Sequence, residues 1–437
     1  MKITFEQIYK KIKDINKEIL ELQNLKKRIP QNKSYSLDLH LSFDKVINDL
    51  INQKLELEQL EIENPSEELI QNILTVDLAT ASAIRTVPDI KPEILEEDQI
   101  ILDFLRKLPK TEIHLHMEAC ISKETIMKIL EEHKEQYNKE EIEKLYQFKN
   151  LNEFIKLFLF ILDSIKKPED FEFIFENLKQ YLINNNIKYA EVFYAPSRLI
   201  QNGLEFKEIA RTLDYLAKEC VLEGGPEVKF LVDVSRTFGP ENASKNLQRL
   251  LEAKTDTHIG IGLGGAELMG PARDFKDVFA QARAEGLHCV AHSGEDDGPW
   301  SIWDTVKILK AERIGHGTSA IQDPDLLEYL RDKQIPIEIC LTSNLFTGKY
   351  VRRPEDHPVR RYYDMGIICT INTDDPEIFN VDLTQEYYNL YKYLNFTITE
   401  IVDLIRMGVE STFHNKKYQL WKEFEQEIKH LRMEYNL

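Results

Sequence analysis

The chain has 437 residues, of which 56 are Lys or Arg and 75 are Asp or Glu, so its formal net charge is −19. This acidic balance argues against a general nucleic-acid binder, because such a protein needs a basic face for the phosphate backbone. A hydrophobic share of 42% excludes a wholly disordered chain and supports a large core. At roughly 100–200 residues per domain, the length predicts two or three domains, or one large barrel with an addition.

The sequence predicts a cytoplasmic protein. Its five cysteines are too few and too widely spaced for a disulfide framework. The N-terminal stretch MKITFEQIYKKIKDINKEI carries a charge every few residues, unlike the uncharged centre of a signal peptide. No stretch approaches the roughly 18 uncharged apolar residues of a membrane span. We therefore expect contact with neither nucleic acid nor membrane.

Residues 1–65 are predicted to form an α-helical hairpin. Apolar residues recur at steps of four and three in its first half, and a second amphipathic run extends from Phe43 to Leu60. The intervening RIPQNKSYS is typical of a turn. The apolar stripe could pack against the main domain, mediate self-association or bind a separate partner. Residues 66–104, with prolines among acidic residues, are predicted to be a linker and helical connector.

Residues 105–437 alternate between apolar, strand-like runs and amphipathic helices. Such alternation predicts βα units with parallel strands, and eight strands is the number that closes a (β/α)8 TIM barrel. The predicted fold class is therefore α/β, a TIM barrel with an N-terminal helical hairpin. The predicted strands are 111–117, 188–195, 228–234, 258–263, 288–293, 313–316, 336–341 and 366–373.

Ionisable residues lie where four of these strands end. His114 and His116 are two residues apart on the first strand, so both side chains point into the barrel. The fifth, sixth and eighth strands end in HSGE, GHG and NTDDP. Barrel enzymes build their sites at these ends, and buried imidazoles and carboxylates are costly unless paired or bound to a metal. Three imidazoles and one carboxylate would make a plausible Zn²⁺ site.

With these motifs the sequence resembles the adenosine deaminase family of metal-dependent barrel hydrolases. LPKTEIHLHMEA, HSGE, RIGHG, EICLTSN and INTDDP occur in family order, and the resemblance covers about residues 105–415. It implies one Zn²⁺ per chain and attack of a metal-bound hydroxide at C6 of a purine, with loss of ammonia. The metal ligands that it implies are His114, His116, His292 and Asp374.

The resemblance implies roles for five further positions. Glu295 corresponds to the glutamate that protonates ring nitrogen N1, a role that needs a raised carboxyl pKa. His316 corresponds to the histidine that orients and deprotonates the water. Asp375 corresponds to the second aspartate, which orients the water and hydrogen-bonds the base near N7. Gly265 matches a glycine whose N–H faces the purine, and Glu118 matches a carboxylate that reaches the ribose hydroxyls.

Other polar residues near predicted strand ends are given secondary roles. Glu338, Ser343 and Asn344 lie at or before the end of the seventh strand and are expected to support the site. Arg236, after the third strand, is expected to brace the rim or meet a phosphate group. Two residues after the second strand are candidates for lining the pocket, Tyr194 and Arg198.

Three departures from the family pattern lie at the substrate end of the predicted pocket. Ala119-Cys120 follow Glu118 where many relatives have glycine and a small hydroxyl residue. Phe193 stands where adenosine-specific members often have arginine, and Gly262 stands where aspartate is frequent. The hydrolytic residues are therefore complete, whereas the substrate contacts are not those of a standard member.

The function predicted from the sequence is zinc-dependent deamination of adenosine or 2′-deoxyadenosine by a purine nucleoside aminohydrolase. Adenine, AMP, an N6-substituted adenine compound and aminodeoxyfutalosine are alternative small-molecule substrates. An amidohydrolase with two metals bridged by a modified lysine is disfavoured, because the fourth-strand run HIGIGLGGAEL contains no lysine. An inactive scaffold is disfavoured by the complete set of candidate ligands. The chain also lacks the P-C-x-x-C element of cytidine-type zinc deaminases.

Overall fold

The computed structural model describes residues 98–148, 151–265, 267–268, 270–347 and 349–437. Within them, eight parallel strands form one sheet in the order β1 to β8, and each pairs with the next. The predicted TIM barrel is thus confirmed. The strands are β1 Lys110–His116, β2 Ile187–Tyr194, β3 Glu227–Asp233, β4 His258–Gly262, β5 His288–Ser293, β6 Arg313–His316, β7 Ile337–Ile339 and β8 Cys369–Ile371.

All eight predicted strands are present, and the largest differences are at β7 and β8, which are shorter than predicted. The chain leaves β7 early because a helix begins at Leu341. The predicted hairpin over residues 1–65, and the connector as far as residue 97, lie outside the described residues. The first described helix runs across the predicted boundary between connector and barrel at residues 104 and 105.

Helices separate most of the strands, and four of them lie between β1 and β2. Side-chain caps mark several helix starts, such as the capping box that Thr397 forms with Glu400. The helices are α1 Asp98–Lys107, α2 Lys123–Glu132, α3 Lys139–Leu145, α4 Leu151–Ser164, α5 Asp170–Asn184, α6 Pro196–Gln201, α7 Phe206–Leu222, α8 Gly239–Ala253, α9 Lys276–Ala284, α10 Pro299–Asp304, α11 Pro324–Lys333, α12 Leu341–Thr347, α13 Val359–Asp364, α14 Pro376–Phe379, α15 Leu383–Leu394, α16 Ile398–Ser411 and α17 Lys417–Tyr435.

The buried apolar side chains of the described residues form two clusters. One large cluster includes residues of the strands and of the surrounding helices, and a small second cluster consists of Phe193, Leu231 and Val290. Side chains alternate along a strand, so Phe193 and its neighbour Tyr194 belong to different clusters. None of the described helices is both long enough and apolar enough to cross a membrane.

The barrel closes between β8 and β1 through a short seam. The N–H of His116 donates to the carbonyl of Asp374 at 2.9 Å, and the N–H of Asp374 donates to the carbonyl of His114 at 3.2 Å. The side-chain oxygen of Asn372 accepts a further bond from the N–H of His114 at 3.1 Å. The residues that close the barrel are therefore the same ones that carry three of the predicted metal ligands.

One fully buried arginine connects three strands inside the barrel. Nε of Arg313, on β6, lies 2.6 Å from a carboxylate oxygen of Glu338 on β7, and Nη2 lies 2.6 Å from Glu191 on β2. Nη1 donates to the carbonyl of Ser411 at 3.0 Å, and the guanidinium lies 3.9 Å from the ring centre of Phe413. Without this cation, two buried carboxylates would face each other uncompensated.

We expect Arg313→Met to lower the free energy of unfolding by about 3–5 kcal/mol, because removing one partner of a buried ion pair leaves uncompensated charge. Urea unfolding followed by circular dichroism measures the change. The control is Arg331→Met on α11, where the arginine pairs with Glu328 and Asp332 at the surface. That change should cost less than about 1 kcal/mol. Equal losses in the two variants would contradict the role given to Arg313.

Candidate active site

The four predicted metal ligands meet at the carboxyl ends of the strands. Nε2 of His114 and Nε2 of His116, both on β1, lie 3.4 and 3.2 Å from Oδ1 of Asp374. The ring of His292, on β5, is centred 4.5 Å from that of His114 and 5.3 Å from that of His116. One ligand atom from each of the three histidines lies within 4.8 Å of the others. The structure therefore brings the whole predicted ligand set together.

Two site residues have a backbone conformation that is rare outside glycine. The φ angles are 68° at Asp374 and 65° at His316, in the left-handed region. Such positions persist when surrounding contacts fix them, and they concentrate at functional sites. At Asp374 the contacts are the two backbone hydrogen bonds to β1 that close the barrel.

Two polar neighbours orient the ligands. Nδ1 of His114 lies 2.6 Å from a carboxylate oxygen of Glu338, which also pairs with Arg313. Ser343 donates to Oδ2 of Asp374 at 2.6 Å, and Oδ1 of that carboxylate is left facing the imidazoles. Nε2 of His114 is buried and faces Oδ1 of Asp374 at 3.4 Å. A buried nitrogen and a carboxylate oxygen aimed at one point fit a metal ion.

The ionisation states also suit a cation. Burial would raise the pKa of Asp374, but hydrogen bonds to His114 and His116 bring it well below its ordinary value. Burial and three neighbouring imidazoles lower the pKa of His292 well below its usual range, so this ring is neutral. For His114 and His116, burial is outweighed by Asp374 and other acids, and the pKa rises to about 9 and about 10. A metal must displace those two protons, so its affinity should fall as the pH falls.

The three predicted catalytic residues adjoin the ligands. Nε2 of His316 lies 3.3 Å from a carboxylate oxygen of Glu295 and 3.3 Å from Nδ1 of His292. The Asn344 amide lies 3.1 Å from Nδ1 of His316. Asp375 is buried, and its Oδ1 has no hydrogen-bond partner in the part of the chain that is described.

Both predicted catalytic carboxyls have raised pKa values. Burial, with the charges of Asp296, Asp374 and Glu267, raises the pKa of Glu295 well above its ordinary value. Burial and the adjacent Asp374 raise the pKa of Asp375 to about 8. The raised pKa of Glu295 favours the protonated carboxyl, which is the form that a general acid needs.

The two predicted substrate contacts are buried or conformationally special. One oxygen of Glu118 accepts the N–H of Ala195 at 2.7 Å, and the other is buried without a hydrogen-bond partner among the described residues. Gly265 has φ +92°, and a side chain there would place its Cβ 2.7 Å from Oγ1 of Thr237. Glycine is required at this position on both grounds.

Three of the secondary assignments can be compared with the structure. Arg236 braces the rim, because its guanidinium donates to the carbonyls of Gly270, at 2.7 Å, and of His292. Arg198 forms an ion pair with Asp163 at 2.8 Å. Tyr194 packs in the outer core with its ring stacked on Phe206, so it does not line the pocket.

Sequence reasoning missed two buried carboxylates near the site: Asp233 at the end of β3, which accepts the N–H of Gly264 at 2.9 Å, and Glu267. Glu267 lies in the loop after β4 and accepts hydrogen bonds from the N–H groups of the turn that follows β5, including that of Glu295. Its signal was weak, since it is one acid among several, two residues after the Gly264-Gly265 pair that follows the fourth strand.

Comparison with known proteins agrees with this geometry. The family model described as adenosine deaminase matches residues 109–427. The chain belongs to the adenosine deaminase family. The chain is therefore a deaminase that acts on adenine-type compounds.

Its relatives in this family differ in substrate. The aminodeoxyfutalosine deaminase of Streptomyces avermitilis is 32% identical over 315 residues, which cover 71% of this chain and 88% of that protein. The adenosine deaminase of Clostridium kluyveri is 30% identical over 326 residues, covering 72% and 92%. Several bacterial relatives at 30–31% identity are adenine deaminases. Family membership thus leaves the substrate open among adenine-containing compounds.

Solved structures share the adenosine deaminase family barrel. An amidohydrolase from Burkholderia ambifaria with bound zinc superposes with a TM-score of 0.73 at 19% identity, over 80% of this chain and 98% of that one. The adenine deaminase of Arthrobacter aurescens gives a TM-score of 0.70 at 24% identity, over 74% and 99%. At these identities the likeness supports the fold.

Two of the departures from the family pattern, Phe193 and Gly262, are explained together because their positions are in contact. The ring of Phe193 lies against the metal site, centred 5.2 Å from the ring of His114 and 5.3 Å from that of His116. A Cβ atom at Gly262 would lie 2.5 Å from Cε1 of this ring. The φ of Gly262 is outside the left-handed region, so space for Phe193 is the reason for glycine. An aspartate at this position is incompatible with Phe193.

We expect Gly262→Ala to lower the free energy of unfolding by about 1–3 kcal/mol, because overpacking a rigid interior forces side chains to move. In a Phe193→Leu background the same substitution should cost much less, since leucine leaves the space of Cε1 empty. Denaturant unfolding of the four proteins gives the coupling. Additive losses would show that Phe193 is not the group that excludes the methyl.

Proposed function

We propose that this protein removes the 6-amino group of adenosine and 2′-deoxyadenosine as ammonia, at a centre with one Zn²⁺ per chain. The proposal rests above all on one arrangement, a Glu295 carboxyl with a raised pKa that lies 3.3 Å from His316 and beside the His114–His116–His292–Asp374 cluster. This arrangement joins an acid, a base and a metal-ligating cluster within one small volume.

His114, His116, His292 and Asp374 would hold the metal. Three imidazole nitrogens and one carboxylate oxygen are donors that Zn²⁺ accepts, and the buried Nε2 of His114 and Oδ1 of Asp374 face each other at 3.4 Å. When bound, the metal supplies a Lewis acid that favours ionisation of water near neutral pH. Glu338 orients His114 by a hydrogen bond to its Nδ1, and Ser343 orients Asp374 by a hydrogen bond to its Oδ2.

Glu295 donates its proton to N1 of the purine ring. Protonation there allows C6 to accept a nucleophile, since the ring nitrogen takes up the displaced electron pair. His316 helps to take a proton from the attacking water and passes it to the 6-amino group, so that the C6–N bond breaks and ammonia leaves. Burial lowers the pKa of His316 to about 4, so its ring is neutral at pH 7 before the water attacks. Asn344 fixes the opposite nitrogen of this ring. Asp375, protonated at neutral pH, donates to N7 of the base.

The polar groups around the pocket favour a neutral nucleoside over a nucleotide. Glu118 presents a buried carboxylate oxygen that can accept hydrogen bonds from ribose hydroxyls and would repel a phosphate. The two arginines that follow β2 and β3, Arg198 and Arg236, already bind Asp163 and main-chain carbonyls. Aminodeoxyfutalosine is the second candidate, because a deaminase of this compound is among the relatives at 32% identity.

Ammonia release by zinc-loaded protein tests the substrate. The panel is adenosine, 2′-deoxyadenosine, adenine, AMP, N6-methyladenosine and aminodeoxyfutalosine. We expect kcat/KM for one of the first two to exceed that for AMP by at least about 100-fold, because the pocket offers a carboxylate where a phosphate needs a cation. Preference for AMP would refute the nucleoside assignment. Silence across the panel with zinc bound would refute deamination of these compounds.

Two substitutions separate the acid from the metal. Glu295→Gln should keep one zinc per chain and lower kcat by at least about 100-fold, because an amide cannot deliver the proton. Asp374→Ala should lose both zinc and turnover, because it removes the anionic ligand. Zinc is measured by plasma mass spectrometry and turnover by ammonia release. The control is Glu312→Gln, just before β6, where the side chain bonds the N–H of Cys289 at the start of β5; this variant should keep both zinc and turnover. Normal turnover by Glu295→Gln would contradict the assignment of the acid.

A further inference from the structure

The turn that carries Glu295 presents four consecutive N–H groups to one side chain. After β5 the backbone N–H groups of residues 294–297 all point at the carboxylate of Glu267. The distances are 2.6 Å to Oε1 for Gly294, and 3.0, 2.9 and 3.1 Å to Oε2 for Glu295, Asp296 and Asp297. An ionised carboxylate has about four lone-pair directions and no hydrogen to donate, so it matches a row of donors.

Glu267 is itself fixed and ionised. Its residue is 4% exposed, and Ser301 at the start of the next helix donates to Oε1. Burial alone would raise the pKa of Glu267, but the charge of Arg236 and these hydrogen bonds bring it below the ordinary value. The guanidinium of Arg236 in turn holds the carbonyl of His292, just before the turn.

The opposite side of the turn is anchored as well. The carbonyl of Gly294 accepts hydrogen bonds from the hydroxyl of Thr318 at 2.8 Å and the N–H of Ser319 at 2.9 Å, both after β6. Gly294 has φ +75°, and a Cβ atom there would lie 2.4 Å from Ile302. The N–H groups of the turn are bound by Glu267 and the carbonyl of Gly294 is bound by the loop after β6. These hydrogen bonds fix the backbone of the turn from both sides.

We propose that Glu267 is a positioning residue for the reaction: it holds the turn 294–297 so that the Glu295 carboxyl is aimed at the substrate and at His316. The hydrogen bonds of Glu267 run to the backbone of the turn and to Ser301 rather than to the Glu295 side chain, and its negative charge also helps to raise the pKa of Glu295. This inference rests on the proposed function, because the aim of Glu295 matters only if Glu295 transfers a proton. The loop that supplies Glu267 also carries Gly265, the glycine expected to face the purine, so one loop would set both the ring and the acid.

The contact between Glu267 and the turn affects the rate because the Glu295 carboxyl must be placed accurately for proton transfer. A displacement of about 1 Å of a catalytic group can cost on the order of 100-fold in rate, even when substrate binding is unchanged. Glu267→Gln is the sharpest change, because it preserves size. An amide replaces one acceptor oxygen by an NH₂ group, which would face either the N–H of Gly294 or the three N–H groups on the other oxygen. The turn must shift to relieve that clash.

The experiment compares the zinc-loaded full-length proteins with Glu267→Gln and Glu312→Gln. Glu312 is the matched control: it accepts a backbone N–H, that of Cys289, at 3.0 Å, but at the beginning of β5. For Glu267→Gln we expect kcat to fall about 10- to 100-fold, with KM within about threefold and zinc retained. Amide hydrogen exchange of residues 294–297 should accelerate at least about tenfold. For Glu312→Gln, kcat and exchange in this turn should stay within about twofold.

Four outcomes would overturn the proposal. These are an unchanged kcat in Glu267→Gln, a loss of rate matched by Glu312→Gln, a loss accounted for by missing zinc, and unchanged exchange of residues 294–297. Failure of the proposed function is separately visible, because the wild-type protein would then release no ammonia while the exchange rates still report on the turn. A retained KM with a reduced kcat distinguishes positioning from loss of the folded pocket, which would change both.

Discussion

The site depends on the contact between Asp374 and β1. The backbone of Asp374 forms the seam that closes the barrel, and its carboxylate lies between the imidazoles of His114 and His116. Closure of the sheet and assembly of the metal-ligating cluster are therefore one event. The left-handed backbone of Asp374 has its explanation here, because both hydrogen bonds of the seam and the aim of the carboxylate require that bend.

Around this contact the structure is organised by buried charge. Arg313 compensates Glu191 and Glu338, and Glu338 fixes the outer nitrogen of His114. Arg236 and Glu267 act similarly on the other side, where they hold the main chain before and within the turn of Glu295. Buried ions are costly unless they are paired and hydrogen-bonded. Both of these groups of buried charges also bond to residues of the site, Glu338 to His114 and Glu267 to the turn of Glu295, so the free energy spent on burying them also fixes the geometry of the site.

The metal end and the substrate end of the pocket differ in how closely they follow the family. The proposed ligands and proton-transfer residues all match the family motifs, and the structure brings their side chains together. At the substrate end, Phe193 occupies the space that a side chain at position 262 would need and lies against two of the ligands. Relatives at similar identity act on aminodeoxyfutalosine, adenosine and adenine. The substrate must therefore be established by the contacts of this pocket, since ancestry does not single one out.

Local patterns in the sequence determined the barrel and most of the site. The two-residue period of a strand placed His114 and His116 on one face, and the rule that barrel sites lie at carboxyl strand ends selected His292, Glu295, His316 and Asp374. Family motifs then supplied their expected roles. These are properties of short segments, and they do not depend on contacts with distant parts of the chain.

Only the tertiary structure decided how distant segments meet. It showed that Glu267 reaches the turn of Glu295, that Arg236 braces the rim, and that Gly262 makes room for Phe193. Each of these contacts joins different strands or loops, and its partners are fixed by the register and closure of the barrel. Periodic patterns in a sequence predict helices and strands, but they cannot predict such contacts. The residues involved are far apart along the chain and become neighbours only after the sheet has closed.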